Sequence, residues 1–140
     1  MPIQALTTED IAWVAHRLAQ ETMGWSEPIP DFNTRYAHTL ERCLKQPFQT
    51  FAGKQLYPGL IKKAAILFYL MIKNHPFQNS NKRIAVTTLF YFLYTNGKWL
   101  EVDNQELYNF AKWVAESNPK LKKATLDATE TFLKTYLSSR

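Results

Sequence analysis

The sequence predicts an all-α fold, a compact single-domain bundle of about six helices over residues 1–140. Apolar residues recur at i, i+3 and i+4 through most of the chain, whereas the alternation typical of strands is weak. Glycine, which breaks helices, occurs four times. With 46% hydrophobic and 21% charged residues, the chain can bury the core of one globular domain, which excludes a disordered chain.

A capping signature places the first helix. Thr7 precedes a periodic apolar stretch, and Asp10 stands three residues later, as in a capping box. The predicted helix covers residues 8–23, and Gly24 is expected to end it.

Two stretches rich in proline or glycine separate the next elements. Residues 25–30 contain two prolines and are predicted to form a loop, after which Asp31 is expected to cap a second helix that ends near Lys45. Residues 46–57 mix aromatic and polar side chains without helical periodicity, and they are predicted to form an ordered loop or hairpin.

Two segments are apolar on nearly every side, as expected of helices surrounded by other helices. They are residues 60–72, with Pro58 expected in the first turn, and residues 84–94. The second segment stops at Asn96 and Gly97, a pair typical of a left-handed C-cap. Both helices are therefore predicted to be central.

Two amphipathic helices are predicted in the remainder of the chain. Asp103 is expected to cap a helix that ends near Glu116, and Asn118 with Pro119 breaks the chain. A last helix is predicted over residues 123–137. The sequence shows no internal repeat or linker.

Several features predict a cytoplasmic protein. The first ten residues lack the basic start and apolar core of a signal peptide. The longest apolar run, residues 64–72, is far shorter than the roughly 20 residues that a membrane-spanning helix needs. Cys43 is the single cysteine and cannot form an internal disulfide, which fits a reducing compartment.

The chain is basic, with a formal net charge of +5 and a pI of about 9.3. This charge favours an anionic partner and leaves a nucleic-acid-binding helical domain as an alternative hypothesis. Acidic residues are interspersed among the carboxyl-terminal lysines, and no helix-turn-helix spacing is present, so nucleic acid is the less favoured partner. These lysines are Lys120, Lys122, Lys123 and Lys134.

A polar segment, residues 75–83, joins the two most apolar helices, and seven of its nine side chains are polar. Such a connector must reach a surface or cleft, because burying polar groups without partners costs free energy. Asn81, Lys82 and Arg83 begin the following helix, so free N–H groups and two cationic side chains are predicted to form an anion site. His75 can take up a proton near neutral pH, and Phe77 is expected to anchor the segment in the core.

These nine residues read H-P-F-Q-N-S-N-K-R, which resembles the signature H-x-F-x-(D/E/N)-x-N-(G/K)-R of the Fic and Doc (death-on-curing) family. The Leu-Tyr-Pro run before the third helix, the Lys-Asn pair before the histidine and the Asn-Gly helix end also resemble that family. The resemblance implies a Fic/Doc-like fold in which residues 46–57 form a short flap, which would pair with the target protein and present its hydroxyl to His75. An ordinary connection between helices is the alternative interpretation of these residues.

The resemblance also implies a nucleotide-dependent transferase. His75 and Arg83 would be the catalytic residues, with His75 as general base towards a Ser or Thr of the target and Arg83 stabilising charge on the phosphates. Asn81, Lys82 and Arg83 would hold the phosphates of ATP, with the hydroxyl of Ser80 beside them.

Lys82 distinguishes the branches of the family. The adenylyl-transferring Fic branch usually has glycine at this position, and lysine resembles the Doc branch, whose members are toxins that phosphorylate elongation factor Tu. Phosphoryl transfer is therefore the favoured hypothesis. Fic-type transfer of AMP is the alternative, and a nucleotide-binding scaffold without turnover is a third.

Two further implications concern metal and regulation. Asn79 stands where an acidic Mg²⁺ ligand is common, and its neutral carbonyl would leave most of the metal affinity to the nucleotide phosphates. The inhibitory pattern (S/T)-x-x-x-E-(G/N) of the family is absent, because no Ser or Thr here has Glu four residues later. A separate antitoxin protein is therefore the expected partner.

Overall fold

Six helices account for most of the chain in a computed structural model that describes residues 2–22 and 28–140. The structure is 67% helical, and its strands are short, so the predicted all-α fold is confirmed. The helices are α1 (residues 8–22), α2 (Ala37–Lys45), α3 (Leu60–Lys73), α4 (Asn81–Thr95), α5 (Asn104–Glu116) and α6 (Lys122–Tyr136). In the described ranges no helix is both long and apolar enough to cross a membrane.

Helix α1 begins at the predicted capping box. The Thr7 hydroxyl accepts from the Asp10 N–H at 3.1 Å, and the Asp10 carboxylate accepts from the Thr7 N–H at 2.8 Å. The helix consists of an α-helical turn, a π-helical segment and a second α-helical segment, which are Thr8–Asp10, Ile11–Ala15 and His16–Thr22. Its predicted end at Gly24 lies outside the described residues, as does the start of the loop predicted at residues 25–30.

Helix α2 begins later than the sequence predicts. The Asp31 carboxylate accepts from the Asn33 N–H at 2.9 Å, but it caps a 3₁₀ turn, Phe32–Thr34, and not the helix. The chain then extends, and the Tyr36 N–H donates to the Pro76 carbonyl at 2.9 Å before α2 starts one residue later. The prediction was wrong at this point because a long-range hydrogen bond to the polar segment determines where the helix starts.

Helices α3 and α4 form the centre of the bundle, as predicted. They pack against each other, and their inward side chains are almost completely buried; Ile66, Met71, Ile84 and Leu89 are among them. Burial of this apolar surface supplies the main driving force for folding.

The ends of the central helices are set by glycines with positive φ. Gly59, at φ 85° and ψ 162°, is the N-cap of α3, so Pro58 lies before the helix and not in its first turn, which corrects the prediction. At the end of α4, Gly97 has φ 79° and its N–H donates to the Tyr94 carbonyl at 3.1 Å. The predicted left-handed helix end is confirmed.

Residues 46–57 contain a β-hairpin, in agreement with the prediction of a loop or hairpin. Strands β1 (Thr50–Phe51) and β2 (Lys54–Gln55) pair antiparallel through a turn in which Ala52 and Gly53 have positive φ. Both strands are exposed. The buried Lys63 fixes the hairpin to α3.

Lys63 belongs to the first turn of α3, and its ammonium contacts the end of the hairpin. Its Nζ donates to Gln55 Oε1 at 2.6 Å and to the Tyr57 carbonyl at 2.5 Å. Burial lowers the pKa of Lys63, because the charged form loses solvation. These bonds place the hairpin at the amino-terminal end of α3.

A second two-stranded ribbon, which the sequence does not predict, joins the chain after α4 to the chain after α6. Strand β3 (Lys98–Leu100) pairs antiparallel with β4 (Leu137–Ser139). Strands of three residues are too short to show alternation in the sequence, and their pairing depends on how α6 packs. The predicted bounds of the last two helices agree with the structure to within one residue, and Asp103 occupies the N-cap position of α5.

The buried thiol of Cys43 predicts a loss of stability at alkaline pH. Cys43 is completely buried, and its burial raises the thiol pKa from 9.0 to about 12. Above pH 9 the unfolded chain loses this proton and the folded chain keeps it, so the free energy of unfolding falls as the pH rises.

Cys43→Ala should remove this contribution. Between pH 9.5 and 11, the free energy of unfolding of wild type should fall by about 1.4 kcal/mol per pH unit more than that of the variant. Urea unfolding at pH 8, 9.5 and 10.5 measures both slopes. Equal slopes would contradict the assignment of this pH dependence to Cys43.

Candidate nucleotide site

The polar segment predicted to carry the site forms a tight loop between α3 and α4. His75 (φ 51°) and Ser80 (φ 65°, ψ 19°) both have left-handed backbone conformations, which cost side-chain-bearing residues roughly 1–2 kcal/mol each. Strain of this kind persists only where surrounding contacts enforce it, and it is concentrated at functional sites.

Asn81 closes the loop from within. Its Oδ1 accepts from the Phe77 N–H at 2.9 Å, and its Nδ2 donates to the Phe77 carbonyl at 3.0 Å. The same Nδ2 lies 3.4 Å from Nδ1 of His75. The buried carboxamide therefore fixes the loop backbone and reaches the imidazole.

Phe77 anchors the loop in the core, as predicted. It is 1% exposed, and its ring lies 5.8 Å from that of His16 and 6.0 Å from that of Phe32. His16 Nε2 is 2.8 Å from the Pro30 carbonyl, so this buried histidine has a structural role. The loop is thus fixed against α1 and the segment before α2.

A chain of hydrogen bonds links three of the predicted site residues. Arg83 is 4% exposed, and its Nη2 donates to Ser80 Oγ at 2.5 Å. The Ser80 hydroxyl in turn donates to Asn79 Oδ1 at 2.7 Å. Ser80 therefore holds the guanidinium of Arg83 beside the start of α4.

These residues meet in a cleft of about 450 Å³. All six predicted site residues line it: His75, Asn79, Ser80, Asn81, Lys82 and Arg83. The positive end of α4, the Lys82 ammonium and the Arg83 guanidinium occur together, which suits an anionic ligand. The exposed His75 stands at the same cleft.

The opposite wall comes from α5, which the sequence does not associate with the site. Tyr108 and Ala115 line the cleft, together with Ile72 at the end of α3 and Gln78 in the loop. No motif marks Tyr108 or Ala115, because their position depends on the packing of α5 against the central helices.

One protein family matches a part of the chain that includes the polar loop and most of both central helices. A sequence profile of the Fic/DOC family matches residues 5–93, more than half of the chain. The chain belongs to the Fic/DOC family. Toxin Doc of Mycolicibacterium smegmatis is 36% identical over 64 residues, which cover 46% of this chain and 49% of that protein. The alignment thus spans about half the length of this relative. No solved structure matches the chain.

In this Fic/DOC protein, the hairpin is attached at the end of α3 opposite His75. It is tied to the first turn of α3, whereas His75 follows the last turn. The 14 residues of α3 rise about 1.5 Å each, which separates the two ends by about 20 Å. The cleft lining contains no hairpin residue. The role of this hairpin as a flap that pairs with a target protein stays a prediction.

The cleft of this Fic/DOC protein offers little to a metal ion by itself. Among the described residues, no carboxylate lines the cleft, and no group of three or more His, Cys, Asp or Glu side chains could hold a metal. Asn79 offers one neutral oxygen, which already accepts from Ser80. These donors fit a triphosphate but do not form a Mg²⁺ site on their own.

Proposed function

We propose that this protein is a Doc-like toxin that transfers a phosphoryl group from ATP to a hydroxyl of a target protein of the elongation factor Tu class, and so blocks translation. The observation that carries the proposal is one cleft in which an exposed imidazole meets the cationic start of a buried helix. Phosphoryl transfer needs little more than such positioning and charge stabilisation.

The proposed reaction uses the residues in the cleft. His75 accepts the proton of the target hydroxyl, and the hydroxyl oxygen bonds to the γ-phosphorus of ATP. The bond between this phosphorus and the bridging oxygen breaks, so ADP leaves with the bonding electrons. Lys82 and Arg83 bind the phosphates, and Arg83 stabilises the charge that develops as the bond breaks.

The contacts of Asn81 and Ser80 suggest more specific roles. Asn81 is bonded to the backbone of Phe77, so we infer that its side chain positions the loop while its N–H group, at the helix start, faces the phosphates. Ser80 holds Arg83 through its hydroxyl. Mg²⁺ would be held mainly by the nucleotide phosphates and would neutralise part of their charge, and Asn79 could supply one further oxygen.

Lys82 supports phosphoryl transfer over transfer of AMP. It is partly buried and lines the cleft at the position where adenylyl-transferring relatives usually have glycine. A long cationic side chain fills the space that a bare backbone leaves for a β-phosphate. Fic-type transfer of AMP is the alternative that the same cleft could support.

An antitoxin is the proposed partner, and the cytoplasm, which contains ATP and the translation machinery, is the proposed compartment. The matched relative is called Toxin Doc. None of the 140 residues forms the inhibitory Ser/Thr-to-Glu pattern of the family, so restraint within this sequence by that device is absent. A toxin of this kind needs a second protein to control it.

Intact-mass spectrometry of elongation factor Tu, incubated with the protein, ATP and Mg²⁺, tests the proposal. The expected product carries the additional mass of one phosphate. An added AMP would support the Fic-type alternative instead. An unmodified target, with nucleotide bound to the protein, would support a scaffold without turnover and overturn the proposal.

A further inference from the structure

We infer that Lys73 is a positioning residue that holds the two walls of the nucleotide cleft at a fixed separation. The inference rests on the proposed function in one respect, because it takes ATP as the ligand of the cleft. It concerns the lysine of the Lys-Asn pair before the nine-residue signature, a pair that resembles the family but to which the resemblance assigns no role.

Lys73 joins the ends of two helices. It lies in the last turn of α3, and its partly buried ammonium donates to the Ser117 carbonyl at 2.6 Å and to the Ala115 carbonyl at 3.1 Å. Both acceptors belong to the carboxyl-terminal end of α5.

The chemistry of a helix end explains why this contact is strong. The last carbonyls of a helix have no partners within it and carry a partial negative charge. The ammonium of Lys73 supplies two hydrogen bonds and a full positive charge at this point. The carboxyl-terminal end of α5, which lines the cleft, is thus stabilised by a side chain of α3.

The position of Lys73 relates this contact to the site. On α3, Ile72 lines the cleft beside Lys73, and His75 lies two residues beyond it. On α5, Ala115 both lines the cleft and accepts from Lys73. The hydrogen bonds from Lys73 to the last carbonyls of α5 therefore fix the distance between the two walls of the cleft, one beside His75 and the other on α5.

Lys62 provides a matched control on the same helix. It is exposed and pairs with Glu130 of α6, with 3.1 Å between Nζ and Oε1. It lines no part of the cleft. Lys62→Met removes the same charge from α3 without touching α5.

The experiment compares Lys73→Met, Lys73→Arg and Lys62→Met with wild type. Isothermal titration calorimetry should show ATP binding about tenfold weaker in Lys73→Met, because part of the binding free energy must then be spent on ordering the α5 wall. Lys73→Arg should restore the affinity to within about twofold of wild type, because it keeps the donors and the charge. Lys62→Met should bind ATP as wild type does.

Hydrogen–deuterium exchange of the unliganded proteins provides a readout that does not need ATP. Amides of residues 113–118 should exchange faster in Lys73→Met, and Lys73→Arg should restore their protection. Melting temperatures of the two Met variants show whether a loss of affinity merely follows a loss of stability. If Lys73→Met fails to fold, Lys73→Gln replaces it, because its neutral and shorter side chain also removes the charge.

The outcomes distinguish a failure of the proposed function from a failure of the inference about Lys73. If wild type binds no ATP, the proposed function fails, and the exchange data alone decide the role of Lys73. Unchanged exchange at residues 113–118 in Lys73→Met overturns the inference. Wild-type ATP affinity in that variant overturns it too, as does an equal loss of affinity in Lys62→Met.

Discussion

Replacing His75 with alanine is expected to abolish modification of the target, with a rate reduced by about 10²–10⁴-fold, the usual contribution of a general base. The exposed imidazole stands in the cleft beside the start of α4. Without it, no side chain assigned to the reaction can accept the proton of the target hydroxyl. The initial rate of target phosphorylation, followed by mass spectrometry, measures the effect.

The variant should keep its fold and bind ATP. His75 has φ 51°, and alanine also carries a Cβ, so the cost of the left-handed backbone stays the same. His38→Ala is a suitable control, because His38 is exposed on α2 and lies outside the cleft. A folded His75→Ala protein that still modifies its target at the wild-type rate would show that another group acts as the base.

Replacing Arg83 with alanine is expected to weaken ATP binding by about 10–100-fold, since hydrogen bonds to charged groups contribute roughly 1.5–3 kcal/mol. The guanidinium lies at the first turn of α4 and is oriented by Ser80. Arg83→Lys should fall between the variant and wild type, because it keeps the charge but loses the planar donor pair. Calorimetric titration with ATP gives the three affinities.

Because Arg83 is buried, its loss also affects packing, and a circular dichroism melt must accompany the titration. Arg42→Ala serves as the control: this arginine is exposed on α2 and absent from the cleft lining. Unchanged ATP affinity in a folded Arg83→Ala protein would place the phosphates elsewhere.

Local chemistry made most of the fold and the loop predictable. The Thr7 capping box and the Gly97 helix end are determined by residues within a few positions of each other, and both are present in the structure. The nine-residue segment was identifiable because its polar residues interrupt two apolar helices. Its six predicted site residues therefore meet in one cleft.

The rest depends on contacts between distant parts of the chain. The start of α2 follows from the hydrogen bond between Tyr36 and Pro76, 40 residues apart in sequence, so the Asp31 cap was misleading. Tyr108 reaches the cleft only because α5 packs beside it. The distance between the hairpin and His75 likewise follows from the direction of α3, which no pattern of residues reveals.

The turn at Ala52 and Gly53 offers a practical handle for surface-based measurements. Both residues are exposed, and the hairpin is attached at the end of α3 opposite the polar loop. A biotinylated peptide inserted at this turn would tether the protein to a sensor chip by the end of α3 opposite the cleft. Binding of candidate substrates and inhibitory proteins to the tethered protein would then show whether a blocked hairpin interferes with either partner.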